Sequence, residues 1–222
     1  MLSVPARTLR WSLVLATLAM LAGPGTLRAQ DPADPASPKV IRVEEDWLLW
    51  VVQPNGAIYS PQFHTVMSPL QDLDSYYFQI TWNYRELPEF MPGGFQVQSW
   101  NGEDNLNLQN INNTELSRAA ELITWTQVME TNGTQIAFSI INGLSSTWGA
   151  FGHPDTLLVH NGAIPDLNRY SPDVSVDNSW ITFGQNRVYL LKVYAVRYYG
   201  EHGLLWEDTT NRVVYQYEQV DD

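Results

Sequence analysis

In Phe95-Gln96-Val97-Gln98-Ser99-Trp100 the inward parity of a strand belongs to Phe95 and Val97, which puts Gln96, Gln98 and Trp100 together on the opposite face. A tryptophan flanked by two glutamines suits carbohydrate. Sugars present apolar C–H faces that stack on an aromatic ring, beside hydroxyls that pair with amides. The competing expectation is that a loop or second layer covers this face. Trp148, in Ser145-Ser146-Thr147-Trp148-Gly149-Ala150-Phe151-Gly152, is a second binding candidate because its flanking glycines permit close approach.

Catalytic patterns are sparse. The chain has no Gly-x-Ser-x-Gly elbow, no Walker loop and no Gly-x-Gly-x-x-Gly fingerprint. His64, His153, His160 and His202 are scattered without metal-ligand spacing, which marks each as a surface or loop histidine. Glycan cleavage needs two carboxyls roughly 5–10 Å apart across the scissile bond. In Glu44-Glu45-Asp46 the outer two share a strand face while Glu45 falls in phase with Ile41, Val43, Trp47 and Leu49. Glu45 is thus expected to be a paired, buried acid with a structural role, or the mark of a strand that starts or bulges there. Asp72/Asp74 and Asp173/Asp177 stand in turn-rich contexts and are expected to be solvated. No catalytic residue is assigned.

Asn, Asp and Glu are dense between Asn101 and Asn113 and between Asp173 and Asn178, where oxygen ligands would suit calcium, although the spacing matches no EF-hand loop. No other cofactor is expected. The formal net charge of −12 excludes electrostatic attraction to a phosphate backbone, so nucleic acid is not an expected partner.

The elements that must position these side chains read as strands. Every even position from Tyr76 to Tyr84 is aromatic or aliphatic, and the odd positions after Tyr77 are polar. Asn-Gly occurs at Asn55, Asn101, Asn132, Asn142 and Asn161, each a hairpin signal because both residues tolerate positive φ. Ile123–Met129 and Gln135–Ile141 form a hairpin across Asn132-Gly133, with Ile123, Trp125, Ile136, Phe138 and Ile140 inward. Arg187–Tyr199 is apolar enough for a central strand, and Val213, Tyr215 and Tyr217 mark a last alternating strand. Thr114–Leu122 is the one helix expected. The fold expected is all-β with little helix, a two-sheet antiparallel sandwich or jelly roll of concanavalin-like lectin type, with a closed barrel as the alternative.

Residues 1–29 have the form of a secretory signal peptide: Arg7 and Arg10, an apolar run from Trp11 to Ala22, then Gly23-Pro24-Gly25 and a small residue, Ala29, at the expected cut. The run is shorter than the roughly 20 residues of a spanning helix, so an uncleaved anchor is the second choice. Residues 30–39 form a Pro-rich spacer, and residues 40–222 a single β-sandwich domain. Cleavage removes three arginines and moves the formal charge from −12 to −15. With no cysteine, disulfides and thiol chemistry are excluded. The expected location is secreted or periplasmic, with no membrane association after cleavage.

Val43-Glu44-Glu45-Asp46-Trp47, Val66-Met67-Ser68-Pro69, Gly93 to Trp100, Ile123-Thr124-Trp125-Thr126 and Tyr170 to Val176 resemble segments of a group of uncharacterised exported proteins of planctomycete bacteria. That resemblance implies bacterial export and one β domain, and nothing catalytic. The expected function is non-catalytic binding of extracellular or cell-envelope glycan. A structural or surface-assembly role and a glycan-cleaving enzyme are the alternatives.

Overall fold

The computed structural model describes residues 38–52, 62–83, 94–111, 121–146, 149–183 and 187–217. The segment expected to be a signal peptide, most of the expected spacer, Asn55-Gly56 and Trp148 lie outside the described residues. Two antiparallel sheets pack as a sandwich. The larger has β12 (Gly203–Asp208), β11 (Val188–Gly200), β1 (Arg42–Val51), β6 (Glu121–Thr131), β7 (Gln135–Ser145) and β8 (Gly149–Phe151) in that order. In addition, β13 (Arg212–Gln216) pairs with β11 and β9 (Leu158–Asn161) with β7. The smaller sheet runs β10 (Trp180–Phe183), β2 (Gln62–Met67), β3 (Tyr76–Asn83), β4 (Gly94–Asn101), β5 (Asp104–Ile111).

Period-two patterning drives the packing. In β3, Phe78, Ile80 and Trp82 enter the core; Val97 does so from β4, and Val43, Trp47 and Leu49 from β1. Aromatic rings join the two sheets. Trp82 meets Trp125 with centroids 4.7 Å apart, Phe78 stacks on Phe138 at 4.7 Å, and Trp47 lies parallel to Trp125 at 5.9 Å within the larger sheet. Each such fully buried side chain contributes roughly 1.5–3 kcal/mol.

Val40 is buried; its N–H donates to Asn168 Oδ1 at 2.8 Å, and its carbonyl accepts from Leu167 N at 2.8 Å. Ile41 then binds Tyr199 O through its N–H and accepts from Thr131 N, both at 2.8 Å, before β1 runs between β6 and β11.

Several expectations need correction. Asn132-Gly133 and Asn101-Gly102 do join hairpins, but the glycines alone take positive φ, 93° and 57°. Asn132 instead accepts Thr134 N and Gln135 N on its side-chain oxygen, capping a three-residue loop. Asn142-Gly143 makes no turn. It forms an irregularity inside β7, where Asn142 has φ 54° opposite the register shift between Thr124 and Thr126. Asn161-Gly162 leaves the end of β9. Of the helix expected at Thr114–Leu122, residues 114–120 lie outside the described residues, and Glu121 and Leu122 open β6. The helix observed is α1 (Pro172–Asp177), where a turn is expected; Pro172 sits in its first turn, its fixed φ suiting that position, and Asp173 favours the N-terminal dipole end. In β13 the register shift at Leu191/Lys192 leaves Val213 exposed, while Val214 and Tyr215 pack on the core and Tyr217 lies beyond the strand end.

Candidate binding face

Alternation sends one set of side chains of the smaller sheet away from the core: His64 from β2, Tyr77, Gln79 and Thr81 from β3, and Gln96, Gln98 and Trp100 from β4. Pairing then fixes who meets whom. Trp180 lies opposite His64, His64 opposite Thr81, and Thr81 opposite Gln96. Two further rows are Gln79 opposite Gln98 and Tyr77 opposite Trp100.

These groups form one hydrogen-bonded belt. Trp100 Nε1 donates to Gln98 Oε1 at 2.9 Å, Gln98 Nε2 donates to Gln96 Oε1, and it also reaches Thr81 Oγ1 at 3.5 Å. Gln79 Nε2 donates to Thr81 Oγ1 at 3.1 Å and lies 3.0 Å from His64 Nδ1, which is 2.9 Å from the Thr81 hydroxyl. Because Thr81 Oγ1 accepts from the amides, its own proton points to His64 Nδ1; this pattern assigns the ring proton to Nε2. Aromatic rings close both ends. His64 stacks on Trp180 at 4.4 Å, and Tyr77 on Trp100 at 6.2 Å, within 5° of parallel.

Gln96 and Gln98 are less accessible than a solvent-facing strand surface implies, at 8% and 7% exposure, and Trp100 is half-buried. Trp180 is open, at 44%. The belt is also electrically neutral. Burial lowers the His64 pKa to about 4, so the ring is uncharged near neutrality. His64 is therefore a buried strand residue, against the expectation of a surface or loop histidine; its apolar neighbours on β2 place it in a sheet. His160 stands in β9, half-buried, with its ring 4.7 Å from Tyr76, whereas His153 and His202 are exposed.

Sequence reasoning finds the Gln96, Gln98 and Trp100 part of this belt and misses Trp180, His64, Gln79 and Thr81. The outward parity of Gln79 and Thr81 is written in the β3 alternation. Nothing local signals that β10 docks beside β2.

The consecutive acids behave as their parity requires. Glu44 and Asp46 share the outer face of the larger sheet, tied by cations. Arg42 binds Glu44 and Glu130, each at 2.8 Å; Arg197 binds Asp46, Glu44 at 3.3 Å and Glu207 at 2.9 Å. Tyr199 OH adds a bond to Glu44 at 2.9 Å, and Thr126 Oγ1 one to Asp46 at 2.7 Å. Carboxylates held this way by arginine are poorly placed to exchange protons with a substrate. Glu45 points inward and is fully buried, accepting from Trp47 Nε1 at 2.9 Å, Gln127 Nε2 at 3.0 Å and the Tyr170 hydroxyl. Gln127 in turn accepts from Thr65 of the other sheet at 2.9 Å.

Of the two oxygen-rich stretches, Asp173 pairs with Arg212 at 3.1 Å. Among the described residues no group of three or more His, Asp or Glu gathers to hold a metal ion, and no helix is long and apolar enough to cross a membrane. No protein-family model, curated protein or solved structure matches the chain.

Proposed function

We propose that this chain is an exported, non-catalytic domain that binds extracellular or cell-envelope carbohydrate on the outer face of its smaller sheet. The observation that carries the reading is the belt itself: aromatic rings at both ends of a continuous row of mutually bonded amides and one hydroxyl. Rings offer stacking surface to C–H faces, and pre-oriented amides offer partners to hydroxyls at little ordering cost. The signal-like N-terminus supports export, and the resemblance to exported planctomycete proteins supports a bacterial cell envelope.

Glycan-array binding with the wild-type chain, Trp100→Ala and Trp180→Ala tests this. Binding that both substitutions weaken is the expected result. Wild-type binding that neither substitution changes would remove the belt from the reading.

A second reading, surface assembly, is favoured by one observation on the other sheet. Trp50, Leu122, Leu144 and Tyr189 are exposed there, with the Trp50 and Tyr189 rings 4.4 Å apart. Sedimentation of the intact domain across a concentration series separates the two readings, since carbohydrate binding by itself requires no self-association.

A further inference from the structure

The belt has a length and a charge, and together they describe its ligand. Trp180 shares a cross-strand row with His64, Thr81 and Gln96, and Trp100 stands four residues further along β4 than Gln96. Three strand spacings amount to roughly 14 Å and four residues to roughly 13 Å, so the two backbone positions are about 19 Å apart along the diagonal. The rings stand closer than that, the Trp180 ring stacked on His64 and the Trp100 ring reaching Gln98. One pyranose, little wider than the indole on which it stacks, covers one end and cannot touch the other.

Charge narrows the ligand further. The strands β10, β2, β3 and β4 contain no Asp, Glu, Lys or Arg in any position, although the whole chain carries 24 acids and 12 basic residues. Among the described residues, these four strands offer no cation to hold a uronate or sulfate and no carboxylate to hold an amino sugar. The net charge of −12 repels polyanions besides.

Building on the carbohydrate reading, we infer that the ligand is the interior of a neutral glycan chain several sugar units long. The chain lies diagonally across β10, β2, β3 and β4, with one unit on Trp180 and another on Trp100. Units between them pass over Gln79, the half-buried amide of the belt, while Gln96 and Gln98 lie beneath and hold the neighbouring groups in place. A terminal monosaccharide is not the recognised element. Two ring contacts on one chain act as linked sites, so affinity grows with length until both are filled and then levels off.

The test is titration calorimetry of the full domain with gluco-, xylo- and manno-oligosaccharides, each from monosaccharide to hexasaccharide, and with hexagalacturonate as the charged counterpart. The expected result is a rise of at least about tenfold from the shortest to the longest member of a responding neutral series. Trp180→Ala, and separately Trp100→Ala, should lower hexasaccharide affinity to that of the short sugars while leaving short-sugar affinity within a few-fold. Trp180 is exposed on an edge strand, so its variant is expected to keep the fold; Trp100→Phe, checked by thermal melting, covers the half-buried position. Affinity independent of length, or equal binding of hexagalacturonate, overturns this inference while leaving carbohydrate binding intact. Failure of every saccharide at every length overturns the carbohydrate reading itself.

Discussion

The hydroxyl of Tyr170 reaches Oε1 of Glu45 across 125 residues of sequence, in the closed space between the two sheets. That bond joins the segment before α1 to the middle of the central strand β1. Trp47 and Gln127 occupy the other carboxylate oxygen, and Thr65 carries the chain of bonds into the second sheet.

Burial raises the Glu45 carboxyl above its ordinary value, with the hydrogen bonds opposing the rise in part. A group whose folded value is raised lends stability that is complete below its unfolded value and is lost as pH climbs through the folded one. Tyr170, raised by burial and by the Glu45 charge, adds the same slope at higher pH. Melting temperature should therefore fall as pH rises above the ordinary carboxyl range, through Glu45, and fall again in the alkaline range, through Tyr170. Glu45→Gln, with its oxygen toward Trp47 and Gln127 and its amide toward Tyr170, should flatten the Glu45 part of that fall. Tyr170→Phe should cost about 1–3 kcal/mol by leaving a buried acceptor unfilled. Calorimetric melts across the pH range check this, and a Glu45→Gln profile that keeps the full wild-type loss of stability with rising pH would contradict it.

His64 predicts an acid slope of opposite origin. Its pKa falls from 6.5 to about 4 through burial, so the unfolded chain takes up the proton first. Stability should be complete above about pH 6.5 and decline toward pH 4, by at most about 3 kcal/mol from this ring. His64→Gln should reduce that decline, apart from whatever acid slope the carboxylates supply. NMR titration of the imidazole gives the direct reading; a ring that protonates near 6.5 in the folded domain would defeat the prediction.

Arg197 holds two nearly buried acids and a third at the rim. Replacing it with Met retains much of the aliphatic stem but leaves Asp46 and Glu44 without that charge, at a cost of about 2–3 kcal/mol, reduced from a fully buried pair by its partial exposure. Added salt should recover part of the loss in urea melts. A change under about 0.5 kcal/mol would show that Arg42, Tyr199 and Thr126 suffice for these carboxylates.

Faces were legible in the sequence; neighbours were not. Alternation across Tyr76–Asn83 and through Gly94–Asn101 places Trp82 inside and Gln98 outside, because side chains on a strand alternate whatever the partner strand. The same parity puts Glu45 in the core. Its partners could not be read, since Gln127 and Tyr170 arrive through long-range pairing that leaves no local trace. Trp180 and His64 were hidden for that reason: β10 follows α1 and joins the sheet beside β2, far earlier in the chain. Asn142-Gly143 misled because a dipeptide that accepts unusual φ serves a bulge as readily as a turn. A six-residue helix holding Val174 and Val176 gives too little periodicity to separate from a loop.

The way the chain enters the sandwich has a mechanical consequence. From Val40 it passes directly into β1, which is bonded along both edges for ten residues, to β6 on one side and β11 on the other. Tension applied through the preceding segment along the strand axis would load both ladders together, in shear, so that many bonds share the force before any yields. A domain tethered from that end while gripping a fixed polymer with its opposite sheet would therefore resist drag through its most doubly supported strand.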